Sequence, residues 1–333
     1  MVESETPEMA LQQNREFEEF ASDVAKGLAI ENKALNSKYL YDKVGSQLFG
    51  QICVQPEYYL TRTEASILNK HAHVIAKLTG SNISIIELGS GSSSKTTILL
   101  SHLALQKRRI FYFPIDISNN ILIEGAQRLE SQFPNINIIG IPSDYNIGFE
   151  RAAKHIACDD KISDRKLVLF LGSSIGNFEL AQAKRLLQTL REKLDTNDFL
   201  LLGFDLQKDK SVLNAAYNDK AGVTARFNLN LLARVNRELG GKFDLGKFAH
   251  YAFYNDDKHR IEMHLVSKTE QQVYVRALGR TFAFGKGETI HTENSYKYSL
   301  DQIAVLAEDS GFAVKKNFTD KKKWFDLAFF SPS

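Results

Sequence analysis

The run Ile83-Ser-Ile-Ile-Glu-Leu-Gly-Ser-Gly-Ser-Ser-Ser-Lys-Thr-Thr-Ile-Leu-Leu100 limits what this chain can fold into more than any other stretch. Ile83 to Leu88 is short, mostly apolar and β-branched, and ends at Gly89, as a buried parallel strand does. Gly89 and Gly91 allow a sharp turn and the approach of a ligand without a Cβ in the way. Ser92 to Ser94 supply hydroxyls that can cap the helix that follows. Strand, glycine turn and helix N-terminus together make a nucleotide-binding corner. A dinucleotide fingerprint wants a third glycine three positions after the second. Ser94 stands there, which weakens a nicotinamide or flavin reading.

An alternation of strands and helices continues from that corner. Strands are predicted over 110–116, 136–141, 167–171 and 199–206, with a helix over 180–194 among the segments between them. Such alternation implies a parallel sheet covered on both faces, with ligands at the carboxyl ends of the strands. Asp116, Asp144 and Asn177 all fall at such ends. A single strand-end Asp usually caps the next helix, but three polar groups converging on one glycine turn are less easily explained that way.

The rest of the chain has another rhythm. Phe17, Phe20, Val24 and Leu28 predict a helix over 14–29, and the polar, acidic residues 1–14 read as disordered. The tyrosine-rich loop around Pro56 leads into a helix capped by Thr63. Residues 211–240 read as helical, stopping at Gly240-Gly241. Residues 248–284 alternate in period two, as in Arg260-Ile-Glu-Met-His-Leu-Val, and predict an antiparallel meander. A final hairpin over 314–318 and 324–330 returns to the sheet. The chain is therefore divided into a sheet domain, 64–206 and 299–333, and a discontinuous lobe, 15–63 and 207–298.

A net charge of +2 gives no electrostatic case for nucleic acid or an anionic membrane. No run approaches the ~20 apolar residues of a membrane span. Cys53 and Cys158 have no metal-like spacing, and the eight histidines do not cluster with Cys or acids, so no metal is expected. Neither His259 nor His291 stands in a recognisable base pair or triad, and no residue is assigned as acid or base. A cytoplasmic monomer acting on a small molecule is the expectation.

Several ordered segments resemble one family, the histidine Nα-methyltransferases of ergothioneine biosynthesis. They are Tyr41-Asp-Lys-Val-Gly-Ser-Gln-Leu-Phe, Pro56-Glu-Tyr-Tyr-Leu-Thr-Arg-Thr-Glu, Glu87-Leu-Gly-Ser-Gly-Ser-Ser-Ser-Lys-Thr, Phe170-Leu-Gly-Ser-Ser-Ile-Gly-Asn-Phe, Ala216-Tyr-Asn-Asp-Lys-Ala-Gly-Val-Thr-Ala-Arg-Phe-Asn, Arg260-Ile-Glu-Met and Thr292-Glu-Asn-Ser-Tyr-Lys. The chain departs from the family at Ser173-Ser174, where many members carry Gly-Thr, and at Asn294 and Tyr296. The resemblance implies an α/β fold, a Rossmann-like class I methyltransferase sheet with a second, discontinuous α+β lobe that binds substrate. It implies an S-adenosylmethionine site lined by Tyr41, Gly89, Lys95, Asp116, Asp144 and Tyr145. It implies an amino-acid site lined by Tyr58, Gly172, Asn177, Tyr217, Glu293 and Ser295, and three in-line methyl transfers to the amine of histidine.

The side-chain chemistry suits these roles. Asp116 can accept from two ribose hydroxyls, and Asp144 with Tyr145 offers an adenine an acceptor and a ring to stack on. Donors near Gly89 and Lys95 suit a carboxylate. Glu293 can accept an imidazole N–H while Ser295 donates to the other ring nitrogen, with Met263 nearby in the family's pattern. Related enzymes methylate tryptophan-derived amino acids, which is the competing substrate class. A nicotinamide oxidoreductase or a non-catalytic nucleotide-binding protein is the competing functional class.

Overall fold

The computed structural model describes residues 7–80, 82–105, 110–159, 162 and 165–333. In chain order the helices and strands are α1 (Pro7–Ala29), α2 (Lys43–Cys53), α3 (Leu60–Leu78), β1 (Ile83–Leu88), α4 (Ser94–Leu105), β2 (Ile110–Asp116), α5 (Asn119–Gln132), β3 (Ile136–Ile138), β4 (Ile141–Pro142), α6 (Tyr145–Cys158), β5 (Lys166–Phe170), α7 (Leu180–Arg191) and β6 (Phe199–Asp205). They continue as α8 (Lys210–Tyr217), α9 (Val223–Leu239), β7 (Phe248–Asn255), β8 (Arg260–Ser267), β9 (Gln271–Val275), β10 (Arg280–Phe284), β11 (Thr289–Tyr296), α10 (Leu300–Asp309), β12 (Phe312–Thr319) and β13 (Phe325–Pro332).

Two compact units are built from these elements. One holds Tyr58–Lys210, Asp256–Arg260 and Ser295–Ser333. Its sheet runs β3-β2-β1-β5-β6-β13-β12, with β4 also on β2. The strands from β3 to β6 are parallel, and β13 enters antiparallel to both β6 and β12. Every residue of β1 is buried, and its side chains alternate between two apolar layers. Ile86 and Leu88 share an apolar cluster with Phe149 of α6, Leu187 of α7 and Ile303 of α10. Ile83 and Ile85 pack with α3 and α4 through Ile75, Leu99 and Leu103. A strand covered on both faces is mostly apolar, which is why period two is weak in it. Strand order reverses between β1 and β5, so the loops after these two strands flank the switch point where α/β sheets bind ligands.

The other unit holds the chain through Glu57, Ser211–Asn255 and Ile261–Asn294. There α9 buries Phe227, Leu231, Leu232 and Val235 on one face. Asp219 starts this helix by accepting from the backbone N–H groups of Val223 and Thr224, both at 2.7 Å, across Gly222 at φ +66°.

Local details differ from the sequence reading. Of the stretch expected to be disordered, residues 1–6 lie outside the described residues and 7–14 belong to α1, which begins at Pro7 rather than near 14. Pro is favoured in a first helical turn, where its missing N–H has no partner to lose. Thr63 does not cap α3. The helix starts at Leu60, and Thr63 Oγ1 donates back to the Tyr59 carbonyl at 2.9 Å. Residues 248–284 do not form one meander: β7 and β11 flank β8, while β9 and β10 pair separately. Residues 58–63, 207–210, 256–260 and 295–298, read as part of the lobe, cluster with the sheet unit. Tyr59, Lys208 and Lys297, from three of these four segments, all bond Asp205 at the end of β6.

Candidate active site

The carboxyl ends of the parallel strands carry the first group of candidate residues. Gly89 follows β1 at φ +67°, and a Cβ there would stand 3.1 Å from the Tyr145 hydroxyl. Gly91, at φ +50°, has open space where its Cβ would be. Asp116, at the end of β2, accepts from the Gly91 N–H through one oxygen and the Ser118 N–H through the other, both at 2.8 Å. A carboxylate so used keeps acceptor capacity for a ligand. Burial raises the Asp116 carboxyl above its ordinary range, and the backbone N–H groups of Ser118, Gly91 and Ile117 oppose the shift. Burial, then the charge of Asp116, push the Tyr145 phenol up. The Tyr145 ring is held edge-on against Phe170 at 5.1 Å. Gly89, Asp116 and Tyr145 are thus brought together. Asp144 is exposed, and its Oδ1 caps α6 by accepting from Asn146 and Ile147 N–H at 2.9 and 3.1 Å.

Lys95 and Gly172 meet through a residue to which the sequence reading gave no role. Glu64, on α3 and fully buried, takes the Lys95 ammonium at 2.5 Å and the Gly172 N–H at 2.9 Å. Gly172 opens the loop after β5 at φ +78°, and a Cβ there would lie 3.0 Å from Lys95 Nζ. Glu64 closes the motif that begins at Pro56, so the signal was in the sequence. Asn177 ends the 3-10 turn Ser174–Asn177 of the same loop, and Tyr58 is buried just before α3.

In the other unit the Tyr41 hydroxyl lies 3.5 Å from Glu293 Oε2, with the Tyr41 ring edge-on to Phe49 and Phe227. Tyr217 ends α8 and is buried. Its carbonyl takes His250 Nε2 at 2.9 Å, while His250 Nδ1 lies 3.0 Å from Asn228 Nδ2. The amide donates to Nδ1 and the carbonyl accepts from Nε2, so the neutral Nε2–H tautomer fits, and burial lowers the pKa of His250 accordingly. Glu293 and Ser295 stand two apart on β11, which puts both side chains on one face of the strand. Among the described residues no group of three or more His, Cys, Asp or Glu could hold a metal ion.

The profile of the S-adenosylmethionine-dependent, histidine-specific methyltransferases matches residues 20–332. The chain belongs to this family. It is similar to the histidine N-alpha-methyltransferases of Mycolicibacterium smegmatis, at 40% identity, and Mycobacterium tuberculosis, at 36%, each over 92% of both chains. It is 31% identical to ergothioneine biosynthesis protein 1 of Neurospora crassa over 86% of this chain, which spans 32% of that protein.

Beneath the family's glycine loop lies a second buried acid. Glu87 accepts from Thr96 Oγ1 at 2.6 Å and from the Tyr112 hydroxyl, which Ser93 Oγ meets at 2.8 Å. These bonds tie β1, β2 and the start of α4 together. Burial pushes the Glu87 carboxyl up to about 7. A raised carboxyl contributes stability that is full below its unfolded pKa and is lost as pH rises through the folded one. Glu87→Gln removes that slope. The variant should therefore gain on the parent by roughly 3 kcal/mol between pH 4.5 and pH 8. Thermal unfolding across that range checks this, and parallel curves for the two proteins would refute it. Asp326, also raised to about 7 by burial, leaves a slope of the same sign in both.

Proposed function

We propose that this protein is an S-adenosylmethionine-dependent histidine Nα-methyltransferase. It adds three methyl groups to the amine of L-histidine and so supplies the trimethyl betaine, hercynine, to ergothioneine biosynthesis. S-adenosylmethionine provides the electrophilic methyl. The observation that carries the reading is the pair Glu293 and Ser295 on one face of β11, both nearly buried, an acceptor and a donor suited to the two ring nitrogens of a neutral imidazole.

In this reading Asp116 takes the ribose hydroxyls with its remaining acceptor capacity, Tyr145 and Asp144 take the adenine, and Tyr41 is assigned to the cofactor as well. The bare backbone at Gly89 and Gly91 leaves room for it. Lys95 keeps two donors after its bond to Glu64, enough for the methionine carboxylate. Tyr58, Gly172, Asn177 and Tyr217 hold the amino and carboxylate groups of the substrate. The chain's contribution to rate is then mainly alignment of the amine with the methyl carbon, and a desolvated pocket favours the neutral amine that must attack.

Mass spectrometry of reactions with each amino acid offered singly tests this. Histidine should gain three methyls, with tryptophan, tyrosine and phenylalanine poor. Efficient methylation of tryptophan, or calorimetric binding of NAD but not of S-adenosylhomocysteine, would overturn it.

A further inference from the structure

Lys95 stands in the first turn of α4, just after β1, with its side chain 23% exposed. A lysine carries its charge on a flexible four-carbon stem, so a partly exposed one is free to swing unless something anchors it. The anchor here is Glu64, whose side chain is fully buried. Glu64 Oε2 takes Lys95 Nζ at 2.5 Å, and the Gly172 N–H reaches both carboxylate oxygens, at 2.9 and 3.0 Å. Two glycines clear the space for this pair. A Cβ at Gly172 would stand 3.0 Å from Lys95 Nζ. A Cβ at Gly203 would stand 2.4 Å from Glu64 Oε1, with the Phe325 ring next at 3.0 Å. Gly203 lies inside β6, which runs between β5 and β13. A glycine within such a strand weakens it and marks the close approach of another group. The group that approaches closest is the Glu64 carboxylate, held from one side by a backbone N–H and given room on the other.

From this geometry we infer that Glu64 is a positioning residue for the cofactor: it holds the Lys95 ammonium in the place where the cofactor's carboxylate is received. Ordering a long side chain at the moment of binding costs affinity, and an anchor set beforehand removes that cost. Charge acts the other way, since Glu64 offsets part of the cation that the carboxylate meets. The construction favours position. A site that used charge alone would need no buried carboxylate beside the ammonium and no bare backbone in β6 to fit one. The same carboxylate fixes the Gly172 N–H, so Lys95 and the loop after β5 share one anchor. The inference rests on the assignment of Lys95 to the methionine carboxylate and deepens it, since nothing in that assignment orients the ammonium.

The test compares S-adenosylhomocysteine, which carries the amino-acid carboxylate, with 5′-methylthioadenosine, which lacks the amino-acid end. The quantity read by calorimetry is the ratio of their dissociation constants. Lys95→Met should lower the preference for S-adenosylhomocysteine about 10- to 100-fold, the range for hydrogen bonds to a charged group. Glu64→Met removes the anchor and should lower it about 3- to 10-fold, the cost of ordering one long side chain. Combined with Lys95→Met it should lower it no further. Glu64→Gln keeps an acceptor and should fall between the parent and Glu64→Met. Gly203→Ala alters no charge and displaces the carboxylate, so it should act in the same direction as Glu64→Met, and it serves if that variant does not fold. A preference that rises in Glu64→Met is the result that charge alone would give, and it overturns the inference. So does an unchanged ratio, because a merely structural acid weakens both ligands alike, and so does a loss that persists in the Lys95→Met background. An unchanged ratio in Lys95→Met itself is a separate result: the lysine does not meet the carboxylate, and the inference falls with that assignment. A parent protein that binds neither ligand overturns the proposed function and takes the inference with it.

Discussion

Glu293→Ala lowers kcat/KM for histidine by about 100- to 10,000-fold and leaves S-adenosylhomocysteine binding within about threefold of the parent. The carboxylate is 7% exposed, so a ring N–H that reaches it is removed from water at the same time. A hydrogen bond to a charged acceptor contributes about 1.5–3 kcal/mol, and a donor left buried without it loses about 1–3 kcal/mol more. Together these amount to roughly two to four decades in rate. Glu293→Gln separates charge from geometry: it keeps an acceptor and should recover part of the loss. Steady-state kinetics with histidine, beside calorimetry with S-adenosylhomocysteine, decide the matter. An unchanged histidine rate in Glu293→Ala would count against the assignment of this side chain to the imidazole.

The largest loss of stability is expected from Asp205→Ala. Removal of the carboxylate leaves Lys208 and Lys297 buried against each other, and breaking a buried ion pair from one side typically costs about 3–5 kcal/mol. In a unit of this size that lowers Tm by about 10 °C. The loss depends on pH. Burial already lowers the Lys208 ammonium to about 8, with Asp205 opposing the shift. A lysine whose folded pKa is lowered contributes stability that is full above its unfolded pKa and is lost as pH falls through the folded one. Without Asp205 the folded pKa drops further, so the variant sheds its proton sooner. The deficit should therefore be smaller at pH 9 than at pH 7. Unfolding curves at both values test the sign, and an equal deficit would show that the ion cluster is not its source.

Features set by neighbours in the chain were legible. The strand, turn and helix at Ile83–Leu100 could be read because apolar run, glycines and serines sit side by side. The residues at strand ends followed, since alternation fixes which end of each strand faces the turn. Period two in residues 248–284 identified strands but not partners: it says which face a side chain takes and nothing about which edge pairs with which. Helix α1 was read seven residues short: it begins at Pro7 rather than near 14. The ion cluster was least legible. Tyr59, the Asp205–Lys208 pair and Lys297 come from three distant parts of the chain, and a lysine in a sequence reads as surface by default.

The place of β13 has a consequence during synthesis. Its partner β6 is complete at Asp205, yet β13 begins only at Phe325, about 120 residues later. At about 5–20 residues per second the ribosome needs roughly 6–24 s to cover that distance. Throughout it the backbone groups of Phe-Leu-Leu-Leu-Gly-Phe-Asp on the β13 side have no strand to pair with. An apolar edge held open that long invites pairing with another nascent chain. The crossing from β6 to β13 is therefore an interval in which the nascent sheet carries an exposed apolar edge.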